Sequence, residues 1–345
     1  MRYLFVYEHL EQGGIETLIV RISNYLVKNG HEVLLYLERE GRLAQLLDPR
    51  VVVFSKRKQF KCLLNPKKIA NLLESERINC IYTFGPKSCF IGGAIYSVLK
   101  NNKHINFFSG IYHPQEFSIS GRILLRDKFH SDYFKNYLNH GNHVFMSNEV
   151  KKGIEDSINF SFVNAHIWPL AVNIPDFCYT GKPEVFRIVS IGRYVPFKSY
   201  NLYMFDVIDQ LIKRKVEVRW DVYGSGPLKA EMIKLASQEK YKGIITINKE
   251  LAYESFESVL EKASVFIGMG TTLIEAASYG VPCIPAIAYS KEPLTYGFFN
   301  EMPYYAIGEK LKDDPEISIL DLIIKLKEIS IEEFVHLRMN TRSYV

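Results

Sequence analysis

The stretch that decides the fold runs from Ala263 to Pro285 and reads ASVFIGMGTTLIEAASYGVPCIP. Its short apolar run Ser264–Ile267 is typical of a buried strand, and the glycines that follow predict a turn. Thr271–Ser278 has helical spacing, with either threonine available as the N-cap, and Gly280 is typical of a helix end. The next apolar residues begin another strand, so the stretch predicts one strand–helix–strand unit of a parallel sheet.

Such a unit places a helix N-terminus and backbone N–H groups at the carboxyl edge of the sheet, where phosphate binds favourably. Glu275 lies one turn inside the predicted helix, from where its carboxylate could reach past the helix start to sugar hydroxyls. The alternative is a plain turn whose glycines only permit tight packing, with Glu275 in solvent. One glycine turn does not separate these two interpretations, because the signal is weak by itself.

The composition is that of a two-domain globular protein. The chain has 345 residues, of which 47% are hydrophobic and 23% charged, enough to bury two cores. It contains no apolar run long enough to span a membrane, and it enters a strand at its N-terminus without signal-peptide features. Its five cysteines are scattered, which favours a reducing compartment over a disulfide framework or a zinc site. We therefore expect a cytoplasmic protein.

The charge pattern argues against a nucleic-acid partner, because the net charge of +5 is spread along the chain. The densest basic cluster lies between Lys56 and Lys68. It predicts either a solvated loop and helix face or a surface that attracts anionic lipid headgroups or a phosphorylated acceptor. Peripheral contact with a membrane is therefore one expectation from this cluster.

The first half of the chain alternates strands and helices from its start. Arg2–Tyr7 predicts a strand, Gly14–Asn29 a helix with one apolar face, and His31–Leu37 the next strand. Gly13 and Gly14 occupy the first turn. Backbone N–H groups in such a turn either meet a phosphate or only form a tight connection, and the local sequence favours neither.

A second candidate site in this half is the loop Gly110–Phe117, which follows the predicted strand Ile105–Ser109. It carries His113 and Glu116, and loops at the carboxyl ends of parallel strands often hold active-site groups. A single histidine is more often structural, so the residues alone leave both roles open. Helical periodicity elsewhere in this half includes Pro66–Ser75 and Leu124–Leu138.

The segment Asn173–Glu184 shows little periodicity and contains two prolines, so it predicts a linker. The predicted organisation is a first domain at 1–172, a linker at 173–184, a second domain at 185–322 and C-terminal helices at 323–345 that pack back on the first domain. Each domain is expected to contain a β/α sheet whose glycine turns face a shared cleft.

The second half restarts with the strand Phe186–Ile191, followed by a loop into the helix Tyr200–Arg214. This loop contains Arg193 and Lys198, two cations at the carboxyl end of a strand and next to a helix start. An arginine fork and a lysine ammonium can clamp a diphosphate there, although ordinary surface cations would look the same. Further along, the pattern predicts a helix at Leu251–Leu260, a strand at Tyr304–Ile307 and terminal helices at Ile317–Ile329 and Glu332–Ser343.

Four short motifs occur in order along the chain. They are Gly13-Gly14-Ile15-Glu16, Gly192-Arg193 with Lys198, Gly224-Ser225-Gly226-Pro227, and the turn and helix from Gly268 through Glu275 to Pro282. In this order and spacing they resemble glycosyltransferase family 4, whose members are retaining enzymes with the GT-B fold. The resemblance spans Met1 to about Pro285. It implies an α/β protein with two Rossmann-like domains that face a central cleft.

The resemblance also implies roles for particular residues. Arg193 and Lys198 would neutralise the diphosphate leaving group without a metal, which agrees with the lack of an Asp-x-Asp sequence. His113 would lie near the transferred sugar, Glu275 would hold the ribose hydroxyls, and Asn248–Leu251 would lie beside the base. Backbone at the glycine turns would approach the phosphates or the sugar. The implied donor-binding residues are Gly13, Gly14, Asn248, Leu251, Gly270, Thr271, Thr272 and Glu275.

One position departs from the family pattern. The family commonly has two glutamates eight residues apart in the last motif; Glu275 matches the second, and Ile267 stands at the first. The missing carboxylate normally contacts the donor sugar. Either backbone at Gly268–Thr272 holds the sugar, or the chain is a divergent branch of the family.

We therefore expect a sugar-nucleotide-dependent hexosyl- or N-acetylhexosaminyltransferase. Its acceptor would be a precursor of a cell-surface polysaccharide or a lipid-linked oligosaccharide, as in lipopolysaccharide O-antigen synthesis. Its co-substrate would be a UDP- or GDP-linked sugar, with no further cofactor. Two alternatives stay open, a sugar-nucleotide epimerase of the same fold and a non-catalytic nucleotide-sugar-binding subunit, which Ile267 favours. An epimerase would alter the sugar without an acceptor, and a binding subunit would bind donor without transfer.

Overall fold

The computed structural model describes residues 1–11, 13–55, 77–99, 104–112, 142–302, 306–311 and 313–345. His113, Glu116, the basic cluster from Lys56 to Lys68 and the predicted helices Pro66–Ser75 and Leu124–Leu138 lie outside these residues. The chain divides into two compact units, Met1–Ala171 and Val172–Val345. Each unit is built on its own parallel sheet, so the α/β class predicted from the sequence is confirmed.

The first unit contains a seven-stranded sheet in the order β3-β2-β1-β4-β5-β6-β7, and all of its described pairings are parallel. The order reverses between β1 and β4, where the chain has filled one side of the sheet and crosses to the other. The strands are β1 (Arg2–His9), β2 (Glu32–Arg39), β3 (Val52–Ser55), β4 (Cys80–Phe84), β5 (Asn106–Ile111), β6 (Asn142–Phe145) and β7 (Ala165–Ile167). The helices described here are α1 (Gly14–Lys28), α2 (Pro86–Leu99) and α3 (Asn148–Ile158), with a 3₁₀ turn at Arg42–Leu46.

The second unit contains a five-stranded parallel sheet in the order β10-β9-β8-β11-β12. Its order reverses between β8 and β11. The strands are β8 (Arg187–Ile191), β9 (Arg219–Tyr223), β10 (Ile245–Asn248), β11 (Val265–Gly268) and β12 (Cys283–Pro285). The helices are α4 (Tyr200–Lys213), α5 (Lys229–Ala236), α6 (Phe256–Leu260), α7 (Thr271–Ser278), α8 (Ile319–Glu328) and α9 (Ile331–Tyr344).

The central strands are continuous apolar runs because both faces of each sheet are covered. All five residues of β4, CIYTF, are buried, and so are all four residues of β11, VFIG. A strand covered on one face only would show alternating polar residues instead. In the second unit the side chains of Trp220, Tyr194 and Phe266 are completely buried and are among the largest fully buried side chains of the described residues.

The region before the C-terminal helices differs from the sequence prediction. Ala306 and Ile307, the described part of the predicted strand Tyr304–Ile307, are not in a strand. A two-residue strand β13 (Leu294–Thr295) instead pairs antiparallel with β14 (Ile317–Ser318). Because Ile317 and Ser318 are in this ladder, helix α8 begins two residues later than predicted. The Ser318 side chain then caps it by accepting from the backbone N–H of Asp321.

Two other helix predictions also need correction. The predicted helix Leu251–Leu260 consists of a 3₁₀ turn at Tyr253–Ser255 followed by the short helix α6. The N-cap of α7 is Gly270, with φ 82° and ψ −158°, and no threonine side chain caps this helix. A threonine can cap only from extended backbone just before the first turn, and both threonines lie inside the helix.

The last helix, α9, packs against α7 and holds the start of the second unit in place. Arg338 donates to the carbonyl oxygens of Ala263, Tyr179 and Gly280, at 3.0 Å, 3.5 Å and 3.5 Å. Arg342, one turn later, donates to carbonyls of the irregular segment before β8 and to Ser278 at the end of α7. None of the helices in the described ranges is long and apolar enough to cross a membrane.

Candidate functional site

The candidate site of the second unit lies where β8 and β11 end. These strands are neighbours in the sheet, and the strand order reverses between them. Connections that leave such a point diverge to opposite sides of the sheet and open a crevice at its carboxyl edge, which is where α/β proteins bind ligands. Two predicted motifs meet here. One is the loop from Gly192 to Ser199 after β8, and the other is the turn Met269-Gly270 that leads into α7.

Lys198 is the central cation of the loop after β8. Its Nζ lies 2.9 Å from the position that a Cβ atom would occupy at Gly192, so the ammonium group folds over that glycine. Burial of the amine, and then the nearby Arg193 guanidinium, lower the pKa of Lys198 from 10.5 to about 8. The lysine is therefore still mainly charged at neutral pH. Burial and the nearby charge of Arg193, which both disfavour the ammonium group by itself, both strengthen its attraction of a bound anion.

Arg193 is the second cation of this loop and is exposed. Its guanidinium carbon lies 5.9 Å from the centre of the Phe197 ring. The backbone beneath it is fixed, because the buried side chain of Asn201 donates to the Arg193 carbonyl at 3.2 Å. Arg193 and Lys198 thus form a pair of cations at the end of β8, the first exposed and the second folded over Gly192. This arrangement suits a diphosphate, which carries charge on two linked groups.

The two glycines of Gly224-Ser225-Gly226 allow the backbone of this loop to pack closely against the loop after β8. Both have positive φ, and a Cβ atom at either position would collide with backbone of the β8 loop. The same loops are joined by hydrogen bonds from the Gly192 N–H to the Tyr223 carbonyl at 2.9 Å and from the Tyr194 N–H to the Ser225 carbonyl at 2.7 Å. The motif therefore fixes the loop that carries the two cations.

The start of α7 supplies backbone N–H groups on the other side of the reversal point. Thr271 and Thr272 are its first two residues, so their N–H groups have no acceptor within the helix. The Gly270 N–H is used differently, because it donates to the Ile307 carbonyl at 2.8 Å. The Thr272 hydroxyl donates to the carbonyl of Ile191 at 3.0 Å and so ties the helix start to the end of β8.

Glu275, in the second turn of α7, is only 6% exposed. The alternative in which this carboxylate is in solvent is therefore wrong. A buried carboxylate is stable only where other groups compensate its charge, and such residues are frequent in binding sites. Its contact with ribose hydroxyls stays a prediction.

Ile267, which stands where the family has its first glutamate, is completely buried in β11 and belongs to the apolar core of the second unit. Asn248 and Leu251 lie at and just after the end of β10, two strands from β8. Both are half-buried, and the Asn248 carbonyl accepts from the Tyr194 hydroxyl at 3.2 Å. Their proximity to a base stays a prediction.

The first unit has a comparable turn between β1 and α1. Gly13 is the extended N-cap of α1 and Gly14 its first residue. A Cβ atom at Gly13 would collide with the Glu16 carboxylate, which folds back over the turn. Glu16 is 9% exposed; it accepts from the Tyr7 hydroxyl at 3.3 Å and lies 3.8 Å from His9 Nδ1. A carboxylate at the helix N-terminus disfavours phosphate there and suits hydroxyl groups. The sequence by itself indicates no role at this turn for Glu16, Tyr7 or His9, because their contacts form only in the folded chain.

Comparison with known proteins gives a family match for the first of these units. Residues 12–174 match the model of the family described as Glycosyltransferase Family 4. No protein of curated function matches the sequence significantly.

The similar solved structures have low identity but nearly full coverage. One is the apo form of the lipopolysaccharide outer core galactosyltransferase WaaB, with 14% identity and a TM-score of 0.64 over 98% of this chain and 95% of that one. Another is an S. aureus TarM mutant in complex with fondaparinux, alpha-GlcNAc-glycerol and UDP, with 13% identity and a TM-score of 0.68 over 99% and 96%. A third is WaaG, a glycosyltransferase involved in lipopolysaccharide biosynthesis, with 11% identity and a TM-score of 0.63 over 100% and 95%.

These structures share the fold with this chain, and the family match lies in its N-terminal half. The two findings together show that the chain has the GT-B fold and that its N-terminal half matches the model of Glycosyltransferase Family 4.

Proposed function

We propose that the chain transfers a sugar from a nucleotide-sugar donor to a saccharide or lipid-linked saccharide acceptor in the assembly of a cell-surface polysaccharide. The observation that carries the proposal is the placement of Arg193, Lys198 and the start of α7 on the two sides of the β8–β11 reversal point. Two cations and a helix N-terminus at one sheet edge form a site for a diphosphate.

The chemistry follows from the charge that develops in the reaction. When the bond between the sugar carbon and the phosphate oxygen breaks, negative charge grows on the leaving diphosphate and the sugar becomes oxocarbenium-like. Arg193, Lys198 and the N–H groups of Thr271 and Thr272 would stabilise that charge, which is usually the largest contribution of such sites. In the retaining reaction of this family, the acceptor oxygen bonds to the sugar carbon on the face the diphosphate leaves, and the acceptor proton passes to the departing phosphate. In this proposal the reaction requires no metal.

The structural relatives guide the choice of substrates to test. WaaB is named as a galactosyltransferase and WaaG as an enzyme of lipopolysaccharide biosynthesis, and the TarM complex contains UDP. On this basis UDP-linked hexoses and N-acetylhexosamines are the first donors, with GDP-linked sugars second. Lipid-linked oligosaccharide precursors are the first acceptors, and the proposed location is the cytoplasmic face of a membrane.

The first experiment is a thermal-shift and calorimetric screen of UDP, GDP, ADP and CMP in the presence of EDTA. A nucleotide at 100 times its dissociation constant should raise the free energy of unfolding by about 2.7 kcal/mol. R193A and K198A should each weaken binding of the preferred nucleotide by at least about tenfold, because each removes a charge-assisted contact. Unchanged binding by both folded variants would contradict the proposed diphosphate site.

A transfer assay separates the proposal from its alternatives. The wild type is incubated with the preferred donor, with and without an acceptor library, and the products are analysed by mass spectrometry and NMR. Acceptor-dependent sugar transfer supports the proposal, and a change of the donor sugar without acceptor supports an epimerase. Donor binding without either reaction would support a non-catalytic binding subunit, which is the candidate that the buried Ile267 favours.

A further inference from the structure

Tyr200 brings a hydroxyl group to the reversal point of the second sheet. It is the first residue of α4, and its side chain is completely buried. The hydroxyl oxygen lies 3.1 Å from the position that a Cβ atom would occupy at Gly192 and 3.7 Å from the corresponding position at Gly268. It therefore lies between the ends of β8 and β11.

This hydroxyl makes no hydrogen bond to the part of the chain that the structure describes. A buried hydroxyl without a partner lowers stability, and phenylalanine would fill the same space without that cost. Burial raises the pKa of Tyr200 above its ordinary value, so the group stays protonated and can donate.

Lys198 directs a second donor at the same space. Its Nζ lies 2.9 Å from the Cβ position of Gly192, on which the Tyr200 hydroxyl also converges. A side chain at residue 192 would collide with both groups, so the glycine lets the two donors lie close to the backbone at the end of β8. An anionic oxygen bound beside this glycine can accept from both donors, whereas an apolar group would leave both without a partner.

We infer that the Tyr200 hydroxyl is a further donor-binding group, which hydrogen-bonds the same terminal phosphate of the nucleoside diphosphate as Lys198. The inference rests on the proposed function, and it adds a neutral donor to the two cations. It also explains why α4 begins with a tyrosine at a position where the packing by itself requires only an aromatic ring.

Tyr203 provides a matched control. It lies one turn further along α4, is 6% exposed, and its hydroxyl also makes no hydrogen bond within the described ranges. Its hydroxyl is not among the atoms nearest to the Cβ positions of Gly192 or Gly268. Y203F therefore removes an equally buried hydroxyl that is not directed at the site.

The experiment compares the wild type, Y200F and Y203F by calorimetric titration with UMP and UDP, and in parallel with GMP and GDP and with AMP and ADP. Y200F should weaken binding of the preferred diphosphate about tenfold or more. It should change the affinity for the corresponding monophosphate less than about twofold, because only the diphosphate has the terminal phosphate. Y203F should change neither. Both variants should melt at or above the wild-type temperature.

Three results would overturn the inference. Equal affinity of Y200F and wild type for the diphosphate would show that the hydroxyl does not bind the phosphate, and it would not contradict the diphosphate site itself. A clearly lower melting temperature of Y200F, or its failure to fold, would show that the hydroxyl has a structural partner. If the wild type binds none of the three diphosphates, the inference and the proposed function fail together.

Discussion

At the scale of single residues, the lowered pKa of Lys198 gives the site a pH dependence. Its pKa of about 8 in the native protein lies below the ordinary value of 10.5. Between these values the unfolded chain holds the proton more often than the native chain does. The free energy of unfolding should therefore rise as the pH increases through this window.

Nucleotide binding should show the opposite trend. A diphosphate favours the charged lysine, so its affinity should fall above about pH 8 by up to tenfold per pH unit. Titrations from pH 7 to pH 10 would measure this, with K198A as the control. K198A should bind more weakly at pH 7 and lose most of the decline. An identical slope in both proteins would assign the pH dependence of binding to a group other than Lys198.

At the scale of secondary-structure elements, the start of α7 depends on one glycine. Gly270 has φ 82° and ψ −158°, a conformation that residues with a Cβ atom rarely adopt, while the space around it is open. G270A should therefore destabilise the protein through backbone strain by about 1–3 kcal/mol and weaken diphosphate binding as the helix start shifts. Urea unfolding and nucleotide titration measure the two effects.

Gly181 supplies the control for this prediction. A Cβ atom there would also meet open space, and its φ is not in the left-handed region. G181A should change stability by no more than about 0.5 kcal/mol. If G270A were as well tolerated as G181A, the N–H groups at the start of α7 would not depend on this conformation.

The hydrogen bonds from Arg338 of α9 to backbone carbonyls can be tested in the same way. Arg338 is 1% exposed, and burial lowers its pKa to about 10. Its donors satisfy carbonyl oxygens that an apolar side chain would leave unpaired, so R338M should cost about 2 kcal/mol in urea unfolding. The exposed Arg219 at the start of β9 is the control, and R219M should change stability little. If R338M did not change stability, water or neighbouring groups would have to supply the hydrogen bonds that Arg338 donates to these carbonyl oxygens.

At the scale of the whole molecule, each unit has its own sheet and its own polar turn. The carboxylate of Glu16 lies over the turn of the first unit, whereas cations lie at the turn of the second. We therefore predict that UDP, or the nucleotide preferred in the screen, slows hydrogen exchange at residues 192–199 and 270–273. Residues 13–17 should change little with the nucleotide alone.

Hydrogen exchange with mass spectrometry measures this difference. The edge strands β3 and β12 serve as internal controls, since a general stabilisation would slow exchange there as well. Protection of residues 13–17 by the nucleotide alone would show that the diphosphate reaches Gly13 and Gly14, as the family resemblance implies. Protection that requires an acceptor would instead assign this turn to acceptor hydroxyls.

The sequence by itself determined the class of the fold and most of its elements. Apolar runs such as Val265–Ile267 form buried strands, and the helical period of Gly14–Asn29 gave α1 to within one residue. These features are local, because period and apolar character are set by neighbouring residues. The same local patterns predicted that Arg193, Lys198 and Gly270 follow the ends of strands. The short strands β13 and β14 were not predicted, because pairing with distant residues decides them.

Only the tertiary structure decided which of these strand ends are neighbours. The order β10-β9-β8-β11-β12 joins the loop of Lys198 to the start of α7, although the two are about seventy residues apart in the sequence. The burial of Glu275 and the position of the Tyr200 hydroxyl also depend on long-range packing. A sequence pattern records which residues are apolar or polar, but the partners of a polar atom are set by chain segments that meet only after folding.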